Sequence, residues 1–419
     1  MFIYEHFTGG SLTDKPSLPS VFSEAYAMLS ALLKDFSYNA GCEPTVMFDK
    51  KLASLIEPLA AKNIMKVSSV GEHERVFMSA LSQADAALLV APETEGILPK
   101  MTQLAEDEGN ATLLGSSSGA VKFASDKEKA IELARSSGVA VPRSITTSAD
   151  ENEATVNSLA RDIGYPVVIK PNDGAGCEGV LAAKDRQDIE RALKIAGRGR
   201  SKRRLLVQEY VRGTDASVSM LSSMAGNALP LSLNRQTVEL RTPEGEDSTY
   251  SGGYTPFEHP MKSETFDCAR KIIEAIKGSK GYTGIDFVLT DEKPVFMEVN
   301  ARITTSYAGL YRVMVADGRE GIAPAIIDAA ADNSLPSQIA FRGIACYSKF
   351  KFKADLKVDR DMVDVLSNLE YVESPPFPNM EGGNEGFLVN VGKSLDEALT
   401  LRSRNEKKFE QIALKLQRR

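Results

Sequence analysis

The chain has 419 residues, 42% hydrophobic and 26% charged, with 50 Lys and Arg against 57 Asp and Glu for a net charge of −7. That much apolar material fills more than one core, which excludes a long disordered tail and, at roughly 150 residues per domain, predicts two or three domains. The acidic balance disfavours nucleic acid as a partner, and no run approaches the roughly 18 apolar residues of a membrane span.

The N-terminus lacks a basic region ahead of an apolar stretch, so it does not read as a signal peptide. Residues 1–6 read instead as a strand ending in the Gly9-Gly10 turn, 21–36 as a helix, and 84–90 as a buried strand closed by Pro92. Residues 1–112 therefore form an α/β unit whose sheet is expected to be parallel.

A second unit spans 113–204. Ser125 followed by Glu128 reads as a capping box for a helix that Gly138 stops, and a further helix ends at Gly164. Then come a strand at 167–170, a glycine-rich loop, a strand at 180–183 and a helix carrying Ile189, Ala192, Leu193 and Ala196. Residues 197–204 hold five positive charges and read as a solvated loop rather than a nucleic-acid arm.

The third unit, 205–332, is rich in strands, at 205–210, 216–224, 228–238, 284–289 and 295–300, with one helix stopped by Gly278. Residues 333–419 give mixed strands and a charged closing helix from about Leu395.

Cys42, Cys177, Cys268 and Cys346 form no CxxC pair, and His6, His73 and His259 are scattered. Disulfide scaffolds, Cys-ligated zinc and histidine-rich metal sites are poor candidates. What remains is carboxylate, lysine and backbone chemistry in a reducing cytoplasm.

Gly174-Ala175-Gly176-Cys177-Glu178-Gly179 matches G-x-G-x-x-G. A dinucleotide fold requires a helix directly after the glycines, whereas here an apolar, β-like run follows. Strand, glycine loop, strand is a flap able to fold over phosphates, and Lys170 at its base is placed to supply charge.

The strongest constellation is two strands flanking Asp291-Glu292-Lys293-Pro294. A hairpin centred on Glu292 sets Asp286 opposite Glu298, with Asn300 on the same face and apolar residues 285, 287, 297 and 299 packing the other. Facing carboxylates repel unless a divalent cation, a proton or a neighbouring arginine such as Arg302 compensates. Oxygen donors suit magnesium or manganese.

Together these motifs resemble the ATP-grasp superfamily of carboxylate–amine ligases. The resemblance implies an α/β chain, α+β in its catalytic halves. Its parts would be a pre-ATP-grasp domain (1–112), a small subdomain with the flap (113–204), a large subdomain with the metal site (205–332) and a C-terminal segment (333–419). It implies ATP with Mg2+ or Mn2+ as cofactors. Lys127 and Lys170 would be the phosphate lysines, and Asn172, Gly174, Gly176 and Gly179 the flap. Adenine would meet Gln208, Glu209 and Val211 on the hinge strand, and Asp215 the ribose. Asp286, Glu298 and Asn300 would be metal ligands, with Arg302 and Lys170 catalytic.

The stretches at 4–10, 91–98 and 231–236 resemble a narrower branch, the tyramine–glutamate ligases of methanofuran and methylofuran biosynthesis. The branch implies glutamate and tyramine, or a tyrosine-like amine, as substrates. Asn234, Arg235 and Tyr254, in what reads as a loop at 250–254, are the candidate substrate contacts. Cys177 departs from the small residues expected in the flap, and an exposed thiol there would be open to oxidation. Partners are expected to be small-molecule acid and amine, with a homodimer as the candidate assembly. A nicotinamide-dependent oxidoreductase, a phosphotransferase and a non-enzymatic ATP sensor are the rival readings.

Overall fold

A computed structural model describes residues 1–14, 18–38, 40–57, 60–197, 202–243, 248–378 and 383–418. Most of the basic stretch at 197–204 (residues 198–201) lies outside the described residues. Two of its charges are engaged: buried Arg203 pairs with Asp173 at 3.3 Å, and Arg204 with Asp126 at 3.2 Å. None of the helices among the described residues is long and apolar enough to cross a membrane.

The N-terminal part is a five-stranded parallel sheet, β1 (Phe2–Glu5), β2 (Thr45–Asp49), β3 (Asn63–Val67), β4 (Ala86–Val90) and β5 (Thr112–Leu113), in the order β3-β2-β1-β4-β5. Helices α1 (Phe22–Tyr38), α2 (Val70–Ser82) and α3 (Ile97–Glu108) connect its strands. Side chains alternate, so Ile3 packs toward α1 while Phe2 and Tyr4 pack toward Phe77 of α2. Strand order reverses between β1 and β4, and a doubly wound sheet opens its crevice at the carboxyl ends there. Glu5 and Glu93 sit at those ends. Residues 7–11 form a helical turn where the sequence predicted a simple Gly9-Gly10 turn. Gly10 adopts φ 99°, and a Cβ there would stand 2.5 Å from Val67.

Two helices follow, α4 (Ser118–Ala124) and α5 (Lys127–Ser136). The cap of α5 is Asp126, which accepts from the Lys129 N–H; Ser125 instead donates to the Val121 carbonyl, because the preceding residues are already helical. A four-stranded sheet is built from β6 (Ser144–Ser148), β7 (Val167–Pro171), β8 (Leu181–Ala183) and β9 (Arg204–Glu209), in the order β6-β9-β7-β8. One face, with Val167, Ile169, Leu181, Leu205 and Val207, packs on α6 (Glu153–Ile163) and α7 (Arg186–Gly197). Strand β9, grouped by sequence with the third unit, pairs inside this small sheet.

The eight-stranded sheet comprises β10 (Thr214–Ser222), β11 (Ala228–Glu239), β12 (Thr249–Thr255), β13 (Gly281–Leu289), β14 (Pro294–Asn300), β15 (Ile344–Lys351), β16 (Val372–Pro378) and β17 (Asn384–Gly392). Its order is β14-β13-β10-β11-β12-β15-β17-β16. The strands after residue 332 thus extend the sheet that carries Asp286. Helix α8 (Lys262–Ala275) covers one face with Ala269, Ile272 and Ile273. Helices α9 (Ser306–Ala316), α10 (Ala323–Ala330) and α1 pack against the other. Helices α11 (Arg360–Ser367) and α12 (Leu395–Gln417) close the C-terminal segment. Buried Asp35 of α1 joins the parts: it accepts from Tyr307 Oη at 2.5 Å and from the Ile322 and Ala323 N–H groups at the start of α10.

Candidate functional site

The β13–β14 hairpin places Asp286 opposite Glu298 as the sequence predicts, but by a different route. The turn closes with Leu289 opposite Pro294, a register that by itself would set Asp286 against Met297. A bulge between the Asp286 and Phe287 pairings shifts the register by one and brings Glu298 into place. Phe296, not Met297, consequently lines the apolar face with Phe287, their ring centroids 6.1 Å apart. Asn300 Nδ2 donates to Asp286 Oδ2 at 3.1 Å, which leaves Asn300 Oδ1 unused by that bond.

Burial and the neighbouring Glu298 push the Asp286 carboxyl up to about 7. Burial also acts to raise Glu298, but Lys127 and Lys170 outweigh it and hold that carboxyl below its ordinary value. Lys127 Nζ lies 3.1 Å from Glu298 Oε2 and donates to the Gly174 carbonyl of the flap. Lys170, 5% exposed on β7, is lowered to about 8 by burial despite the attraction of Glu298. Two lysines thus converge on two carboxylates in a nearly dry setting, where unpaired charge is costly. Among the described residues no group of three or more His, Cys, Asp or Glu gathers at one point. The candidate ligands are instead two carboxylates and one amide oxygen, a hard donor set that fits Mg2+ or Mn2+.

The flap is a hairpin, with β7 antiparallel to β8 and the next helix starting only at Arg186. That order excludes the dinucleotide-fold reading. Gly176, Cys177 and Gly179 all take φ near +65°. The tip meets the N-terminal part: a Cβ on Gly176 would stand 3.2 Å from Val21, and the Glu95 N–H donates to Asp173. Cys177 is half-buried, and burial with the nearby Glu298 and Glu24 carboxylates pushes its thiol up to about 12. Asn172 ties the flap base to α5, donating to Asp126 Oδ1 and accepting from the Glu128 N–H, both at 3.0 Å.

Val168, Lys170, Ala182 and Gln208 share the face of the small sheet turned away from α6 and α7. Gln208 donates to Ser144 Oγ, while its Oε1 is buried without a hydrogen-bond partner among the described residues. The Glu209 N–H is committed to the Arg143 carbonyl and its carboxylate to Arg143, while half-buried Val211 follows the strand. Next to them, Pro166, Ala182, Tyr210, Glu239 and Leu240 line a cavity of about 530 Å³. Burial raises the Asp215 carboxyl, opposed by Arg235 4.0 Å away.

The three candidate substrate residues part company. Asn234 lies on the Asp286 face but is fully buried, bonded to Ser217, Ser219 and Thr255. Arg235 pairs with Ala216, which pairs with Phe287, and Tyr254 pairs with Arg235. Both therefore stand on the opposite, α8-packed face, a consequence of the two-residue period of a strand. Residues 250–254, expected as a loop, are part of β12.

Residues without an assigned role in the sequence reading reach the site instead. Gln236, one step beyond Arg235, donates to Asp286 Oδ1 at 3.0 Å; period-two counting from Asp286 across β10 would have found it. Glu93 receives Arg302: Nε lies 3.0 Å from Oε1, and Nη2 donates to Oε2 at 3.0 Å. Burial acts to lower the Arg302 guanidinium, and Glu93 more than reverses this. The signal available for Glu93 was its place just after a buried strand. Tyr250, within the 250–254 stretch expected to contact substrate, bonds Thr305 through its Oη at 2.7 Å on the same side.

A flap over paired lysines and facing carboxylates, between a small and a large sheet, defines a class, and comparison agrees with it. The ATP-grasp domain family matches residues 124–306, and the pre-ATP-grasp domain family 42–121. The chain belongs to the ATP-grasp superfamily of ATP-dependent ligases. Within that class it is similar to tyramine–L-glutamate ligase of Methanocaldococcus jannaschii, 27% identical over 74% of this chain and 84% of the relative. It is also similar to the enzyme of the same name from Methanocaldococcus fervens, 31% identical over 54% of this chain and 61% of the relative. In fold it resembles the biotin carboxylase domain dimer of Hydrogenobacter thermophilus 2-oxoglutarate carboxylase, solved with MgADP. That likeness has a TM-score of 0.71 at 14% identity and covers 97% of this chain and 88% of that one.

Proposed function

We propose that this ligase joins the side-chain carboxylate of glutamate to tyramine or a closely related phenolic amine, with ATP consumed to ADP and phosphate. The observation that carries the ligase chemistry is the Asp286–Glu298–Asn300 cluster facing Lys127 and Lys170 beneath the flap. The names of the two methanogen relatives suggest the substrates.

Adenine would lie on the Val168–Gln208 face and meet the hinge at Glu209 and Val211, with Asp215 toward the ribose. Lys127 and Lys170 would neutralise phosphate oxygens, and flap N–H groups would close over them. Asp286, Glu298 and Asn300 would hold the divalent cation, which when bound offsets charge developing on the phosphates. Mg2+ is the first choice, as in the MgADP-bound neighbour, and Mn2+ fits the same oxygens.

A carboxylate oxygen of the acid bonds to the γ-phosphorus as the bond to the ADP oxygen breaks. The amine nitrogen then attacks the acyl carbon, loses a proton, and phosphate leaves. Arg302, held rigid by Glu93, would brace the transferring phosphoryl group, and the flap would keep water from the acyl-phosphate.

The test is phosphate release with ATP, Mg2+ and glutamate, with and without tyramine, followed by mass spectrometry for the γ-glutamyl amide. Asp286→Ala is expected to abolish turnover with the fold retained. Full activity in that variant would remove the metal assignment.

A further inference from the structure

The first turn of α1 and strand β15 carry a charge pair that the chemistry above does not use. Lys349 Nζ lies 2.6 Å from Glu24 Oε1, and the two side chains are only 16% and 10% exposed. Burying opposite charges carries a large desolvation cost, and a well-packed apolar pair usually serves stability as well or better. Retention of such a pair at the lip of a reaction chamber asks for another reason.

The geometry puts it at that lip. Tyr347 pairs with Gly253, and Gly253 with Gln236, the residue that bonds Asp286. Lys349, two residues past Tyr347, therefore shares the Asp286 face of the large sheet. From the opposite side the flap tip reaches Val21, three residues before Glu24. Tyr347 itself is fully buried, its hydroxyl beside the Tyr250 phenol. Burial is the main reason the Cys177 thiol and the Tyr250 and Tyr347 phenols are raised; Glu24 adds to this at Cys177 and Tyr250, and Asp286 at Tyr250 and Tyr347.

We propose that Glu24 and Lys349 form the subsite for the α-ammonium and α-carboxylate of an amino-acid substrate. Lys349 takes the α-carboxylate and Glu24 the α-ammonium, so the zwitterion replaces an ion pair already satisfied internally. The side-chain carboxylate is then the end left to face Arg302 and the carboxylate cluster, which selects the γ-position for activation. This inference rests on the ligase reading above, and it makes the acid an α-amino acid rather than a plain dicarboxylate.

The test compares L-glutamate with glutarate, which lacks the ammonium, and 4-aminobutyrate, which lacks the α-carboxylate. Each is expected to show at least a tenfold higher KM; equal use of all three overturns the proposal. Lys349→Met is expected to raise the KM for glutamate at least tenfold with the KM for ATP within twofold. The exchanged pair, Glu24→Lys with Lys349→Glu, separates binding from packing. It should recover the wild-type denaturation midpoint but not the wild-type KM, because the zwitterion now meets like charges. Recovery of both overturns the proposal.

If the wild-type chain makes no amide from glutamate and tyramine, the substrate reading above fails on its own. L-glutamate titrated calorimetrically into the protein with Mg2+ and a non-hydrolysable ATP analogue then decides. Binding lost in Lys349→Met supports the subsite, and absence of binding to the wild type overturns it.

Discussion

Glu93→Ala removes the carboxylate that faces Arg302 across the junction between the N-terminal sheet and the Asp286–Glu298 pair. Both contacts are 3.0 Å, and the side chains are 14% and 5% exposed for Arg302 and Glu93. At an effective dielectric of about 20, unit charges at that distance attract by about 5–6 kcal/mol, against a desolvation cost already incurred on folding. Removing one partner leaves the guanidinium buried without its counter-charge, a loss of about 3–5 kcal/mol. The chain has no tryptophan, so denaturant titration followed by circular dichroism is the assay. The double variant Glu93→Ala/Arg302→Ala should fall short of the summed single losses by about 1–3 kcal/mol, since the second change removes the orphaned charge. Turnover should drop in both single variants, with ATP affinity nearly kept. Stability of Glu93→Ala within about 0.5 kcal/mol of wild type, or strict additivity in the cycle, would refute the reasoning.

Other outcomes follow from the same geometry. Arg235→Ala should leave the KM of both organic substrates within threefold, because that side chain stands on the α8 face. Gln236→Ala, by contrast, should raise the Mg2+ concentration needed for half-maximal turnover, since Asp286 loses its donor; equal effects in steady-state kinetics would contradict the assigned faces. The Cys177 thiol, pushed up to about 12, stays protonated through neutral pH. Its alkylation by iodoacetamide should be slow at pH 7 and rise about tenfold per pH unit without a plateau near pH 9. An early plateau would show an ordinary, exposed thiol. Gly253→Ala would put a Cβ 1.8 Å from the Arg235 carbonyl oxygen of the neighbouring strand and 3.1 Å from Tyr347 Oη. It should destabilise by about 2 kcal/mol or more and lower activity, as read by denaturation and turnover together.

The local features were legible because they depend on neighbours in sequence. The G-x-G-x-x-G pattern followed by an apolar run gave a flap rather than a phosphate-binding helix, and β7–loop–β8 has that form. Hairpin counting found the Asp286–Glu298 pair, although its centre is displaced and a bulge restores the register. Bulges are set by packing on both faces of a strand, which one strand's sequence does not encode. The Ser125 cap failed for a similar reason, since the helix before it had already taken up that residue's backbone.

Composition, the flap, Lys170 at its base and the facing carboxylates were thus determined by the sequence alone, because each rests on residue type and short spacing. Tertiary structure decided which side chains join them. Glu93 and Arg302 are 209 residues apart, Glu24 and Lys349 more than 300, and no local pattern relates either pair. It also decided which candidates were turned away: Arg235 and Gln236 are adjacent, and the pleat of β11 sends them to opposite faces. Such a choice is fixed by which face of the sheet the whole chain covers with α8 and which it leaves over the carboxylates.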